Sequence, residues 1–237
     1  MFMDSVIGHR GVASLAPENT LSGIQKAAEL KLRWIELDVT LSGDGTAVMF
    51  HDPRISRTTS GQGYLKKKTL DELSVLDAGS WFSEAFAGEK IPTLFEALAL
   101  IKKLNLGLNL ELKPNRCDLK LLVEEVVTAL EAVDFPDEQL LVSSFDHKAL
   151  VLYRARAASS IGCLFESLPR NWKHKARQVD AITIHLNARK LKEEKARAIK
   201  AAGYELYCYT VNDKDLAEQL KSWEVDGIFT DNPAALE

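Results

Sequence analysis

Carboxylate side chains stand at the ends of two short apolar runs in this sequence. Glu36 and Asp38 are two residues apart, so on a β-strand both would point to the same side. Glu111 ends a later apolar run. Three carboxylates held together would repel one another and raise each other's pKa. A hard divalent cation relieves that repulsion, and all-oxygen ligands suit Mg²⁺ or Ca²⁺ better than zinc.

Two of the five histidines, His9 and His51, also fall at the ends of predicted strands. A lone histidine is more often structural, but a pair that converges on three carboxylates favours acid–base chemistry. Imidazole titrates near neutrality, so one ring could donate a proton while the other accepts one. Arg10 offers a planar fork to a phosphate group and Lys113 a point charge. Both cations could also balance the charge of the acids.

Other catalytic arrangements have weaker support. No G-x-S-x-G motif occurs, and Ser143 and Ser144 end a predicted strand without an obvious Ser–His–Asp order. The remaining histidines, His147, His174 and His185, lack ligand-like spacing. His185 follows a predicted strand and could line the mouth of a site. We expect it at the surface or behind the functional residues.

Short β-branched or apolar runs alternate with amphipathic stretches along almost the whole chain. The predicted strands are Val6–His9, Trp34–Val39, Leu106–Leu112, Leu140–Ser143, Ile161–Phe165, Ala181–Ile184, Glu205–Tyr209 and Gly227–Phe229. The predicted helices are Thr20–Leu30, Leu94–Leu104, Leu119–Val133, Lys148–Ala157, Lys190–Ala201 and Asp213–Trp223. Eight strands separated by helices predict an α/β fold, a parallel (β/α)8 TIM barrel. The alternative, a doubly wound open sheet, usually carries a glycine-rich phosphate loop, and none is present.

One segment interrupts the alternation. The Ser42-Gly43-Asp44-Gly45 turn predicts a hairpin between Val39–Leu41 and Ala47–His51, which would return His51 beside residues 37–39. A polar insertion of about 40 residues follows, from about residue 53 to 92. Such a stretch is more typical of a lid or small subdomain than of a loop. We therefore predict one catalytic domain over residues 1–237 that carries this insertion.

Composition limits the possible functions. The chain has 237 residues with 34 acidic and 30 basic side chains, a formal net charge of −4. This balance argues against a nucleic-acid surface, since it lacks the counterion-release contribution to binding. No signal peptide or long apolar run is evident, so we expect neither secretion nor stable membrane association. The three cysteines lack metal or disulfide spacing, and we expect a cytoplasmic location. We expect a small-molecule substrate and a monomer or homodimer.

Taken together, these motifs and several further segments resemble the glycerophosphodiester phosphodiesterase family. The similarity is carried by His9-Arg10-Gly11, Pro17-Glu18-Asn19-Thr20, Glu36-Leu37-Asp38-Val39, His51-Asp52, Arg57-Thr58-Thr59-Ser60-Gly61, Leu76-Asp77-Ala78-Gly79-Ser80-Trp81, Glu111-Leu112-Lys113, Tyr209-Thr210-Val211-Asn212 and Asp226-Gly227-Ile228-Phe229-Thr230-Asp231-Asn232-Pro233. Each motif is common alone, but their order and spacing are specific. The resemblance extends over essentially the whole chain.

The resemblance implies a (β/α)8 barrel that hydrolyses glycerophosphodiesters, such as glycerophosphocholine or glycerophosphoethanolamine, to sn-glycerol 3-phosphate and an alcohol. By position, Glu36, Asp38 and Glu111 would hold one divalent cation, Mg²⁺ or Ca²⁺. His9 and His51 would be the acid–base pair. Arg10 and Lys113 would contact the phosphate. Tyr209 stands where the family often has Trp, so it would be an aromatic wall of the substrate site with an added polar tip.

Two other functions remain open. Apolar and aromatic residues of the insertion would suit a phospholipase D-like barrel that hydrolyses lysophospholipids, although they could equally form the insertion's own core. The second alternative is a non-catalytic barrel that only binds phosphate or a metal. Intact histidines and carboxylates argue against that alternative.

Overall fold

Eight parallel strands close into a barrel in the computed structural model, which describes residues 2–236. The strands of its sheet are β1 (Val6–Gly8), β2 (Trp34–Leu41), β3 (Ala47–Met49), β4 (Gly107–Leu112), β5 (Leu140–Ser144), β6 (Ser160–Phe165), β7 (Thr183–Asn187), β8 (Glu205–Tyr209) and β9 (Gly227–Thr230). All except β3 pair in parallel, and β1 closes the ring by pairing with both β2 and β9. The predicted (β/α)8 barrel is confirmed.

Helices connect most consecutive strands. They are α1 (Leu21–Glu29), α2 (Leu70–Ser74), α3 (Leu94–Lys103), α4 (Leu119–Val133), α5 (His147–Arg154), α6 (Trp172–Gln178), α7 (Glu193–Lys200) and α8 (Lys214–Ser222). Six correspond to predicted helices, while α2 and α6 were not predicted. Only Trp172 and Ala176 of α6 are buried, so this short helix has almost no apolar periodicity for sequence reasoning to detect. In the described residues, no helix is both long and apolar enough to cross a membrane.

The predicted bounds of β7 were wrong. The prediction ended this strand at Ile184, but the strand runs to Asn187. The amide of Ala181 bonds back to the carbonyl of Ala176 in α6, so residue 181 belongs to the helix end and the strand starts later. His185 therefore lies within a strand, paired with Leu164 of β6 and Tyr207 of β8.

The predicted hairpin forms between β2 and β3, with Val39 opposite Met49 in antiparallel register. The amide of Phe50 continues the pairing by donating to the carbonyl of Asp38 at 3.0 Å. The chain then passes to His51 at the level of the carboxyl end of β2. The hairpin thus supplies a site residue that the regular βα alternation would not bring to this place.

Residues 53–92 form a compact layer beside the hairpin. The segment contains α2 and has buried apolar side chains of its own: Ile55, Leu65, Leu73, Ala78 and Ile91. They pack with Val48 and Phe50 of the hairpin. Glu89 accepts a hydrogen bond from the Ser22 hydroxyl of α1, which joins the layer to the barrel. The division into one domain with an insertion subdomain stays a prediction.

Apolar residues fill both the space between strands and helices and the amino-terminal end of the barrel interior. The latter group consists of Met3, Ile7, Trp34, Leu141, Tyr207 and Phe229. Burial of each large apolar side chain stabilises the fold by about 1.5–3 kcal/mol. Among residues 2–236, side chains fill this end of the barrel, whereas the carboxyl ends of the strands border a cavity.

Candidate active site

The three predicted carboxylates meet inside the barrel. Glu36 and Asp38 lie on β2 and Glu111 on β4, and the parallel register pairs Asp38 with Glu111. One oxygen from each lies within 4.8 Å of the others, and all three side chains are buried. The two-residue spacing on β2 thus directs both acids inward, as expected. Their role as metal ligands stays a prediction.

Two cations share the space with these acids. Lys113 Nζ lies 2.5 Å from Glu111 Oε1 and 3.2 Å from Asp38 Oδ1. Arg10 Nε lies 3.4 Å from Asp38 Oδ2. Burial by itself would raise the pKa of Asp38, but Lys113 and Arg10 lower it well below its usual range. Asp38 is therefore ionised at neutral pH.

The pKa values of the other two acids, Glu36 and Glu111, are shifted upwards. Burial, followed by the charges of Asp38 and Glu111, raises the pKa of Glu36 well above its usual value. Burial also raises the pKa of Glu111 to about 7, despite the nearby Lys113. A cation bound among the three oxygens would reverse these shifts by favouring the ionised forms.

The donor set fits a hard divalent cation. Glu36 Oε2 accepts a hydrogen bond from the Arg10 amide at 2.9 Å, while the buried Oε1 has no hydrogen-bond partner among the described residues. A buried carboxylate oxygen without a partner is costly unless a ligand satisfies it. The triad could therefore bind a metal ion, and its oxygen ligands are those of Mg²⁺ or Ca²⁺ sites.

His9 and His51 both enter this site with one ring nitrogen held by a carboxylate. His9 Nδ1 is 2.6 Å from Asp231 Oδ1, and His51 Nδ1 is 2.6 Å from Asp52 Oδ1. A hydrogen on each Nδ1 satisfies these contacts and leaves Nε2 as the atom that exchanges protons. His9 Nε2 lies 3.9 Å from Glu36 Oε2, so it faces the acids. Burial lowers the pKa of His51, which keeps this ring neutral near pH 7.

The two aspartates differ in how their charge is balanced. Arg57 of the insertion donates to Asp52 Oδ2 at 2.6 Å, whereas the neutral amide of Asn212 donates to Asp231 Oδ2 at 2.6 Å. The negative charge of Asp231 therefore interacts more strongly with the His9 ring than the charge of Asp52, which Arg57 offsets, interacts with the His51 ring. Both aspartates belong to motifs of the family resemblance, but neither was assigned a role from the sequence. Their places directly after His51 and at the end of the last strand were the available signals.

A partly buried glutamate, Glu18, orients other side chains at the rim of the site. Glu18 accepts from Arg10 Nη1 at 2.8 Å and from Arg57 at 2.7 Å on each carboxylate oxygen. Next to it, Asn19 Nδ2 donates to Asp38 Oδ2 at 2.8 Å, and the Asp38 amide donates to Asn19 Oδ1 at 2.9 Å. This segment therefore holds the orientation of both Arg10 and Asp38. Sequence reasoning missed these contacts, which join positions far apart in the chain.

All of the predicted histidines and cations line one cavity of about 160 Å³ at the carboxyl ends of the strands. Tyr209 also lines it, and its role as an aromatic wall for the substrate stays a prediction. The Tyr209 hydroxyl donates to the carbonyl of Phe165 at 2.9 Å, and its ring meets the edge of Phe145 with centroids 5.6 Å apart. These two rings together cover part of the mouth of the cavity.

Of the two positions expected for His185, at the surface or behind the functional residues, the surface position is wrong. The side chain is fully buried in the barrel and lines the same cavity as the catalytic candidates. The error follows from the wrong bounds of β7: with the strand extended to Asn187, residue 185 alternates inward together with Thr183. Its ring packs against Tyr207 and Phe229 at centroid distances of 5.6 and 5.0 Å.

In essentially every characterised (β/α)8-barrel enzyme the active site lies at the carboxyl ends of the strands, which is where these ionisable groups meet, so the site has the position expected for a barrel enzyme. Residues 9–235 match the model of the glycerophosphoryl diester phosphodiesterase family. The chain belongs to this family.

Several relatives are similar over nearly the full length. A glycerophosphodiester phosphodiesterase of Caldanaerobacter subterraneus subsp. tengcongensis is 37% identical over 98% of this chain and 95% of its own. One of Bacillus altitudinis is 30% identical over 98% and 96%. The solved structure of an Oleispira antarctica phosphodiesterase in complex with its product sn-glycerol-3-phosphate is 38% identical, with a TM-score of 0.95 over 99% of this chain and 96% of that one. The expectation of an enzyme of the phosphodiesterase class is confirmed, and a barrel that only binds is set aside.

Proposed function

We propose that this enzyme hydrolyses glycerophosphodiesters, such as glycerophosphocholine and glycerophosphoethanolamine, to sn-glycerol 3-phosphate and an alcohol, with one divalent cation. The observation that carries the proposal is the meeting of three buried carboxylates and two carboxylate-bound histidines at one cavity. The product named with the Oleispira antarctica structure supports glycerol 3-phosphate as the phosphate-bearing product.

Glu36, Asp38 and Glu111 would hold the cation, Mg²⁺ or Ca²⁺. A bound divalent ion supplies charge neutralisation and polarises phosphoryl oxygens. Arg10 and Lys113 balance these same acids in the absence of an ion. When the acids hold a cation, both side chains can turn to the phosphodiester and stabilise charge that develops on its oxygens.

The two histidines would divide the proton transfers. The pKa of His51 is lowered by burial and Arg57 offsets the charge of Asp52, so the neutral ring suits a base. Asp231 can stabilise a protonated His9, which suits the acid that protonates the leaving alkoxide. His51 would deprotonate the nucleophile, either water or the 2-hydroxyl of the glycerol; in the second case a cyclic phosphate forms with release of the alcohol, and water then opens it to sn-glycerol 3-phosphate.

The lysophospholipid alternative has one supporting observation, the partly exposed aromatic side chains of the insertion. Trp81 is 39% exposed. Its indole N–H nevertheless donates to the Ala78 carbonyl at 2.8 Å, and Phe82 packs edge-on against both Trp81 and Phe86. These contacts favour a structural role for the aromatic group, so we propose a small-molecule substrate.

We also propose that the enzyme is cytoplasmic, and we expect a monomer or a homodimer.

A metal-screened assay tests the proposal. The protein is stripped with EDTA, supplied with Mg²⁺ or Ca²⁺, and offered glycerophosphocholine, glycerophosphoethanolamine and lysophosphatidylcholine, with enzymatic detection of glycerol 3-phosphate. Choline release is measured in parallel for the lysolipid. We expect metal-restored release of glycerol 3-phosphate. Faster turnover of the lysolipid would favour the alternative, and activity that ignores EDTA would remove the cation from the scheme.

A further inference from the structure

Two buried polar atoms in the catalytic cavity have no role in the chemistry described so far. Oδ1 of Asn109 on β4 and Nδ1 of His185 on β7 have no hydrogen-bond partner among the described residues. Their side chains are 1% and 0% exposed, and both residues line the cavity. Buried polar atoms are usually paired, so this pair points to a ligand that supplies the missing hydrogen bonds.

The His185 ring is held in a defined orientation. Thr183 Oγ1 lies 2.8 Å from its Nε2, so a hydroxyl hydrogen donated there leaves a hydrogen on Nδ1. Gly162 leaves room for the ring against β6, since a Cβ at that position would lie 2.9 Å from Nε2. Burial lowers the pKa of His185 to about 3, so the ring is neutral at physiological pH. A fixed neutral donor suits an uncharged polar group better than a phosphate.

The cavity limits the size of that group. Its volume of about 160 Å³ is small for a ligand-binding pocket. Its walls include the apolar side chains of Leu164 and Phe229 and the covering rings of Phe145 and Tyr209. A space of this size suits a three-carbon polyol better than a long acyl chain.

The depth of the two atoms indicates which end of the substrate reaches them. Asn109 precedes Glu111 by two residues and is paired with Glu36, so it lies deeper in the barrel than Glu111. His185 also lies two residues inside the carboxyl end of its strand. If the charged groups at the mouth hold the phosphate, the end of the glycerol moiety that is farthest from the phosphorus would therefore point into the barrel.

We propose that Asn109 and His185 form a subsite for the terminal hydroxyl of the glycerol moiety, which makes them specificity-determining residues. This inference rests on the proposed function. The hydroxyl can donate to Asn109 Oδ1 and accept from His185 Nδ1. The alcohol head group then remains outside the covering rings, where its size is not restricted by the cavity.

Substrates that differ only in this hydroxyl test the subsite. Glycerophosphocholine is compared with the phosphocholine ester of propane-1,2-diol, which keeps the 2-hydroxyl and lacks the terminal one. We expect the protein with Mg²⁺ to prefer the glycerol compound by about 10-fold in kcat/KM. His185→Phe, which keeps an aromatic ring beside Tyr207 and Phe229, is expected to reduce this preference to about twofold or less, and Asn109→Leu to reduce it in the same direction.

Ile184→Val serves as the matched control, since this neighbouring buried side chain points away from the cavity and loses only one methylene. It should destabilise the fold slightly and keep the preference. An equal loss of preference in Ile184→Val and His185→Phe would overturn the subsite, because packing alone would then explain both.

A binding measurement keeps the inference testable if a variant folds poorly. The thermal shift of the unsubstituted protein with Mg²⁺ is measured with sn-glycerol 3-phosphate and with propane-1,2-diol phosphate. We expect the larger shift from the glycerol compound. Hydrolysis of glycerophosphocholine with equal shifts and equal kcat/KM values for the paired ligands would refute the subsite alone, whereas no hydrolysis of any glycerophosphodiester would refute the proposed function.

Discussion

Asp231→Asn isolates the contribution of a carboxylate to the proposed acid. Asp231 Oδ1 lies 2.6 Å from His9 Nδ1, and Asp231 Oδ2 accepts from the Asn212 amide at 2.6 Å. Asparagine has a single oxygen for these two hydrogens. Either His9 or Asn212 would therefore face an NH2 group, and the negative charge beside the ring would be lost in both cases.

The expected magnitude follows from this geometry. Replacing a charge-assisted hydrogen bond with a neutral one costs the protonated imidazole about 1–1.5 kcal/mol, or about tenfold in rate. If the amide NH2 turns to His9, the ring is driven towards the tautomer with the hydrogen on Nε2, and the orientation is lost as well. In a serine-protease triad the equivalent substitution lowers kcat by ~10⁴-fold. We expect a fall in kcat of about 10²–10³-fold.

The assay is steady-state hydrolysis of glycerophosphocholine from pH 5 to 9 at saturating Mg²⁺. Asp226→Asn is the control. Its side chain is 18% exposed, against 22% for Asp231, and its carboxylate pairs with Lys200 outside the cavity.

The control should lose stability and keep its kcat. A kcat for Asp231→Asn within twofold of the unsubstituted enzyme would refute the assignment of this carboxylate to the acid.

Three further predictions concern the same site. His9→Ala and His51→Ala should each lower kcat by at least about 100-fold, and near-normal turnover in either would exclude it from the acid–base pair. The pKa of Glu111 is raised to about 7 from an ordinary 4.5, so the metal-free fold should lose stability as the pH rises through that interval. Tm should therefore be lower at pH 8 than at pH 5, and Glu111→Gln should reduce this difference in Tm. Added Mg²⁺ should raise Tm most at pH 8. Arg57→Ala should lower kcat by about tenfold, since it removes a charge-assisted contact behind His51, and a variant with unchanged kcat and pH profile would contradict this.

Much of the fold was predictable because the barrel repeats one simple unit. Each long amphipathic helix and each buried strand has its own periodicity, so α4 was predicted with its observed bounds. The short helix α6 and the late start of β7 were not predictable in this way. Both depend on tertiary contacts, such as the bond from Ala181 back to Ala176, which decide where a helix ends and pairing with the neighbouring strand begins.

The candidate site was predictable to the extent that side-chain type and strand position are local. The two-residue spacing of Glu36 and Asp38 and the hairpin that returns His51 are both readable along the chain. Glu18 illustrates the other case: its bond to Arg57 joins residues 39 positions apart, and no local pattern marks the pair. The burial of His185 was missed because an error of a few residues in one strand boundary changes which side chains are assigned inward.

The barrel class, the family resemblance and the inward spacing of the acids on β2 can all be inferred from the sequence alone. The net charge of −4 argues against a nucleic-acid surface but is compatible with a small anionic substrate. The pKa shifts of the acids depend on the folded barrel, in which Lys113 and Arg10 lower the pKa of Asp38 while burial raises those of Glu36 and Glu111. Only the folded barrel shows that a carboxylate lies beside His9 and another beside His51, and that His185 lines the cavity. The physical reason is that charge interactions and burial depend on distances across the closed barrel, where residues from opposite ends of the chain, such as His9 and Asp231, become neighbours.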